Sequence, residues 1–182
     1  MASPRSGIGN GRQKNRGEER DKFLLDLLRL LLRIAFIALA LLLLFGKVFL
    51  LCQMKGTDMF PTLKDGDLLL AYRLQKEYRK NDVVIYEAEG QRRAGRIVGR
   101  EGDTLVFTAD GTLRVNGTVQ RGEIMYPTEP RSGEEETYTV PRNSVFILGD
   151  YRTESRDSRD FGPVAVKLVE GKLITLLRRR GI

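Results

Sequence analysis

The sequence predicts a mainly β, antiparallel domain standing on one N-terminal membrane-spanning helix. Three observations carry this. From Ile34 to Cys52 the only charged side chain is Lys47. After Asp67, short apolar runs alternate with turn residues. Beyond residue 53 no apolar pattern at helical spacing reaches a useful length.

The first 20 residues are rich in Gly, Ser, Arg, Asn and Glu, with little to bury, which predicts a disordered tail. Phe23 to Arg33 is leucine-rich but interrupted by Asp26, Arg29 and Arg33. As a helix, Ile34 to Cys52 would extend about 28 Å, the thickness of a bilayer's hydrocarbon core. Lys47 lies near its far end, where its stem reaches the headgroups. A core helix of a globular domain would show a polar face there. A cleavable leader needs small residues before the cut, and Lys47-Val48-Phe49-Leu50-Leu51 offers none. The expected division is a basic tail over 1–30, a transmembrane anchor over 31–52 and a β domain over 53–182. Eight basic and four acidic side chains crowd Met1 to Arg33. The positive-inside rule therefore puts the N-terminus in the cytoplasm and the β domain outside the cell membrane.

Asp67 to Tyr72 and Asp82 to Tyr86 read as buried strands. Thr104 to Phe107, Thr112 to Val115 and Thr118-Val119 are separated by Asp110-Gly111 and Asn116-Gly117, turns that accept positive φ, so hairpins are expected. An inserted hairpin region is predicted over about 104–140. Pro127 to Glu136 reads as a polar loop, Ser144 to Leu148 and Gly171 to Leu177 as further strands. Arg178-Arg179-Arg180 reads as a solubilising basic end, with contact to anionic headgroups or wall polymers as the alternative.

Composition removes several functions. The 182-residue chain carries +7, from 31 basic and 24 acidic side chains. From Gln53 onward the count is 22 against 20, so no concentrated basic face is available to track phosphates, and nucleic-acid binding is not expected. There is no histidine and one cysteine. That excludes a Ser-His-Asp or Cys-His nucleophile system, a His-ligated metal and an intrachain disulfide; no cofactor or metal is expected.

Three segments then resemble one family. Gly56-Thr57-Asp58-Met59-Phe60-Pro61-Thr62-Leu63, with Gly66-Asp67 following, matches G-x-S-M-x-P-T-L…G-D. Gly95-Arg96-Ile97-Val98-Gly99-Arg100-Glu101-Gly102-Asp103 matches K-R-V-I-G-x-x-G-D. The segment from Gly149 through Tyr151, Arg152, Ser155, Asp157, Ser158 and Arg159 to Val164 matches G-D-N-R-x-x-S-x-D-S-R-x-F-G-x-V. In this order behind an N-terminal anchor they resemble the type I signal peptidases, membrane-bound Ser/Lys enzymes that remove secretory leaders. The resemblance implies that family's antiparallel β fold. It also implies a cleft or motif framework built from Gly56, Thr57, Met59, Pro61, Arg96, Ser155, Asp157 and Arg159, with the acid at Asp157 paired to Arg96 and Arg159.

Two departures bear on activity. The family's nucleophilic serine stands where this chain has Asp58, and its general-base lysine stands where this chain has Gly95. A Ser/Lys pair needs a hydroxyl that becomes an alkoxide and a neutral amine to take its proton. Glycine has no side chain, and a carboxylate is a poor acyl acceptor from an amide. No catalytic residue is therefore expected. Rescue by Lys47, Lys55 or Lys64, or an aspartic mechanism pairing Asp58 with Asp150 or Asp157, are the routes by which activity would survive.

The same double replacement resembles the peptidase-like accessory proteins that assist sortase-built pili on Gram-positive cells. That resemblance implies a non-proteolytic role in pilus assembly, with the membrane and a pilin subunit or class C-type sortase as partners. The former cleft would receive an extended peptide by strand pairing, and the added charge of Asp58 is expected to favour a basic or amide-rich ligand. The alternative is an active signal peptidase working by a non-standard mechanism.

Overall fold

The computed structural model describes residues 10–75, 77–120 and 125–178, in two units, Met1–Gly46 and Lys47–Ile182. The first unit is helical. The long helix α1 (Asn10–Val48) contains an apolar span, Lys22–Val48, of mean hydropathy 2.6. Its large side chains are exposed all round, from Leu27 at 40% to Phe36 at 73%. A helix apolar on every side and uncovered by protein is one that hydrocarbon must cover, so this element fits a single membrane pass. The tail predicted to be disordered divides here. Residues 1–9 lie outside the described residues, and from Asn10 the backbone is helical.

The apolar stretch does not stay helical to Cys52. Phe49–Gln53 forms β1, pairing antiparallel with β2 (Leu68–Tyr72) from Phe49↔Tyr72 to Gln53↔Leu68. Sequence reading placed these residues in the anchor because an apolar run has no visible period until its partner is known. The remaining strands of this sheet are β3 (Val83–Ala88), β4 (Gln91–Arg100), β9 (Ser144–Leu148), β10 (Val164–Ala165) and β11 (Val169–Leu177). The order is β1-β2-β11-β3-β4-β9-β10, with antiparallel pairs throughout. A short helix, α2 (Ser158–Phe161), lies within the third motif, capped by Asp157.

A second, four-stranded sheet joins β5 (Thr104–Phe107), β6 (Leu113–Val115), β7 (Thr118–Val119) and β8 (Glu136–Thr139) in the order β7-β6-β5-β8. The β8 strand begins inside what reads in sequence as a polar loop; Tyr138 alone marks its inward face, stacked edge-on against Phe107 at 5.8 Å. The two sheets share one core, where Val98, Phe146 and Leu148 of the larger meet Leu105, Phe107 and Leu113 of the smaller. Burying residues of this kind contributes roughly 1.5–3 kcal/mol each, so the inserted hairpins are part of the same packed body.

Candidate functional site

The first motif is a loop pinned from below. Met59 and Leu63 are fully buried in the core that also holds Leu69 and Ile85. Asp67 accepts from the Lys64 amide and from Arg178, whose guanidinium donates at 2.9 and 2.6 Å and also reaches the Thr62 carbonyl. Arg178 thus has a defined structural role rather than a solubilising one; Arg179 and Arg180 lie outside the described residues. The Arg178 hydrogen bond holds the Asp67 carboxyl below the usual carboxylate range.

Asp150 ties the three motifs together. It accepts from Thr62 Oγ1 at 2.5 Å and from Arg96 Nε and Nη2 at 2.7 and 2.5 Å. The pairing of Arg96 with Asp157 implied by the family pattern is therefore corrected: Arg96 belongs to Asp150. Among the described residues Asp157 instead pairs with Arg159, both side chains 1% exposed. Its two oxygens also accept from the Ser155 hydroxyl at 2.8 Å and from the amides of Gly149 and Arg159, each at 3.1 Å. Ser155 is occupied in the same way, and Asp150 and Asp157 are engaged by Arg96 and Arg159 rather than by Asp58.

Gly149 shows how tightly the third motif closes on the first. A Cβ there would meet the Ser155 side chain and stand 2.5 Å from the Asp58 carbonyl oxygen. The Tyr151 amide donates to that same carbonyl at 3.0 Å. Asp58 is thereby fixed by its backbone, while its carboxylate, 29% exposed, is left toward an open groove.

The groove has a volume of about 730 Å³. Leu51 to Lys55 run along its lining, Gln91 to Ala94 of β4 line it as well, and Asp58 joins them. Both strand stretches have unpaired edges: β1 is terminal in its sheet, and β4 gains its β9 partner only from Arg96 onward. Of the residues expected at the site, Asp58 is the one that lines this groove. Gly56 and Thr57 are exposed on the first-motif loop and Pro61 is half-buried. Met59 is a core residue and not a cleft residue, because its side chain fills the space under the loop.

Gly95 lies at the second dyad position, and the space above it is filled. A Cβ there would collide with Ile147 Cγ2 and sit 3.0 Å from Tyr86 Cε1. Both neighbours are buried, and burial pushes the Tyr86 phenol well above its ordinary value.

Two residues along the same face of β4, Arg93 brings a guanidinium to Asp58. Its Nη1 stands 3.6 Å from Asp58 Oδ2, and its Nη2 3.5 Å from Glu89 at the β3–β4 turn. Burial raises the Asp58 carboxyl above its usual range, with Arg93 opposing and the Asp157 and Asp160 charges adding to the rise. Sequence reading missed Arg93, Tyr86 and Ile147. Counting back by two from Gly95 would have found Arg93, had Gln91–Arg100 been recognised as one strand. Lys55, Arg92 and Arg93 line the groove together with Asp58, and of these Arg92 is already paired with Glu170.

Together these features define a mainly β protein with an N-terminal apolar helix, a groove of about 730 Å³ and an acid–guanidinium pair on its wall. The chain belongs to the signal peptidase family, peptidase S26, whose model matches residues 27–177. It is similar to the mitochondrial ATP-independent inner membrane protease subunit 1b of Arabidopsis thaliana, 36% identical over 126 residues, covering 65% of this chain and 64% of that protein. Signal peptidase I of Bacillus caldolyticus is 31% identical over 135 residues, 65% of this chain and 74% of that protein. A crystal structure of a signal peptidase I from Enterococcus faecalis V583 superposes with a TM-score of 0.47 at 29% identity, covering 54% of this chain and 98% of that one. The chain spans somewhat under two thirds of the Arabidopsis subunit's length.

Proposed function

We propose that this protein is a membrane-anchored, non-proteolytic member of the family that binds an extended segment of a partner in the groove. In this reading the β domain lies outside the cell membrane and assists sortase-dependent pilus assembly, with a pilin subunit or class C-type sortase as the partner. One observation carries the loss of proteolysis. Where a hydroxyl and a neutral amine are needed, there is a carboxylate beside a guanidinium, and the space for a lysine side chain is taken by Ile147 and Tyr86. An arginine stays protonated under all ordinary conditions and does not serve as a general base. The two unpaired strand edges along the groove support peptide capture by strand addition.

The test uses the full chain in bilayers. Expected are no cleavage of leader peptides at high protein concentration, measurable binding to pilin or sortase, and pilus polymerisation that survives Asp58→Ala. Absence of binding to either partner would remove the pilus reading. The names of the relatives favour a second reading, leader-peptide cleavage by a non-standard route, which predicts turnover that Asp58→Ala abolishes.

A further inference from the structure

Most arginines near the motifs are saturated at short range. Arg96 holds Asp150 at 2.7 and 2.5 Å, Arg159 holds Asp157 at 3.0 and 2.9 Å, and Arg92 holds Glu170 through two bonds of 2.8 Å. Arg93 differs. Its side chain is 14% exposed, yet its acceptors stand at 3.3 Å (Gln91 Oε1), 3.5 Å (Glu89) and 3.6 Å (Asp58). Guanidinium–carboxylate bonds ordinarily close to about 2.7–2.9 Å. Glu89 is already engaged by Arg156 at 2.9 and 2.5 Å. The Arg93 Nε is buried with no hydrogen-bond partner among the described residues, where a buried donor is normally satisfied.

This under-partnered fork lines the groove together with Lys55, which has no ion-pair partner among the described residues. Resting on the reading that the groove binds an extended peptide, we infer that it selects one carrying a carboxylate, received by the Arg93 guanidinium. The chemistry fits on three counts. A carboxylate is acceptor-only and matches the planar fork. Lys55 adds a second cation to the lining. A strand lying along Gln91–Gly95 would bring its side chains to the arginine that sits on that strand. The carboxylate has two possible sources, an acidic side chain within the peptide or a free C-terminus.

The test measures binding to the full chain in nanodiscs, using acetylated, amidated Val/Thr/Ala peptides of about ten residues, a length suited to strand addition. One peptide has a central glutamate, one a glutamine there, and a third is the glutamine peptide with a free C-terminal carboxylate. The glutamate or the free-acid peptide is expected to bind about tenfold tighter than the neutral one, and whichever does so identifies the source. Arg93→Gln should erase that preference. Asp58→Asn, which removes a like charge and a competitor for Arg93, should strengthen it. Equal binding of all three peptides to the unmodified protein would overturn the inference and leave peptide capture standing. A preference that survives Arg93→Gln would overturn the assignment to this residue. Failure of every peptide to bind would overturn the groove reading itself.

Discussion

Arg93 Nη1 stands 3.6 Å from Asp58 Oδ2, joining β4 to the first-motif loop where the family pattern would place a base beside a nucleophile. The contact is long for an ion pair that is mostly shielded from water. It belongs to a charged chain, Arg156–Glu89–Arg93–Asp58, running from the third motif over the β3–β4 turn to the groove. The two aspartates of the site are unequal: Asp58 stands at a long distance from its guanidinium, whereas Asp157 is buried against Arg159 at 2.9 Å.

Asp58→Asn and Asp157→Asn should have opposite effects on stability. The folded carboxyl of Asp58 titrates above its unfolded value, so the folded state loses stability as pH rises from about 4, the ordinary carboxylate value, through the raised value. Asp58→Asn removes that loss, and its melting temperature at neutral pH is expected to equal or exceed that of the parent. Asp157→Asn leaves the Arg159 guanidinium buried without its counter-charge and is expected to cost about 3–5 kcal/mol. Denaturant titration of both variants checks the contrast.

Restoring a lysine at position 95 should not by itself restore a peptidase. The β-branched Ile147 is stiff at χ1, and its Cγ2 blocks the first atom of any side chain there. Gly95→Lys is expected to lower stability by roughly 1–3 kcal/mol through overpacking. Asp58→Ser with Gly95→Lys is expected to stay inactive, and adding Ile147→Ala should recover part of the lost stability. Thermal melts and a leader-peptide cleavage assay read both parts. Cleavage by the double variant alone would show that the wall yields more easily than its packing indicates.

Gly149→Ala should uncouple the third motif from the first. The new methyl would press on Ser155 and on the Asp58 carbonyl, neither of which can retreat without breaking the Tyr151 amide bond or the Ser155–Asp157 bond. A loss of about 1–3 kcal/mol is expected. Faster hydrogen exchange at the Tyr151 amide is the specific sign.

Arg178 should contribute to acid resistance. The folded Asp67 carboxyl lies below its unfolded value, chiefly through the Arg178 bond. Its stabilisation is complete above the ordinary carboxylate value and is lost as pH falls through the depressed one. Arg178→Ala is therefore expected to lower stability at neutral pH and to flatten the acid limb of the stability profile. Melting curves taken from pH 7 downward check the slope.

The sequence by itself determined what depends on near neighbours. The length and purity of the apolar run specified the anchor helix. The Asn116-Gly117 turn specified a tight hairpin, realised at Val115↔Thr118. The spacing of the three motifs specified the family, and the residues at positions 58 and 95 specified where this chain departs from the family pattern. Only the tertiary structure decided which charges meet. Arg96 fell to Asp150 and not Asp157, Arg93 came to Asp58, Ile147 closed the space over Gly95, and Phe49–Gln53 left the helix to pair with β2. Each of these depends on the register between strands far apart in the chain, and a shift of one residue sends every side chain to the opposite face. Periodicity and turn chemistry act over a few residues, whereas an ion pair needs two distant backbones aligned to within an ångström or so.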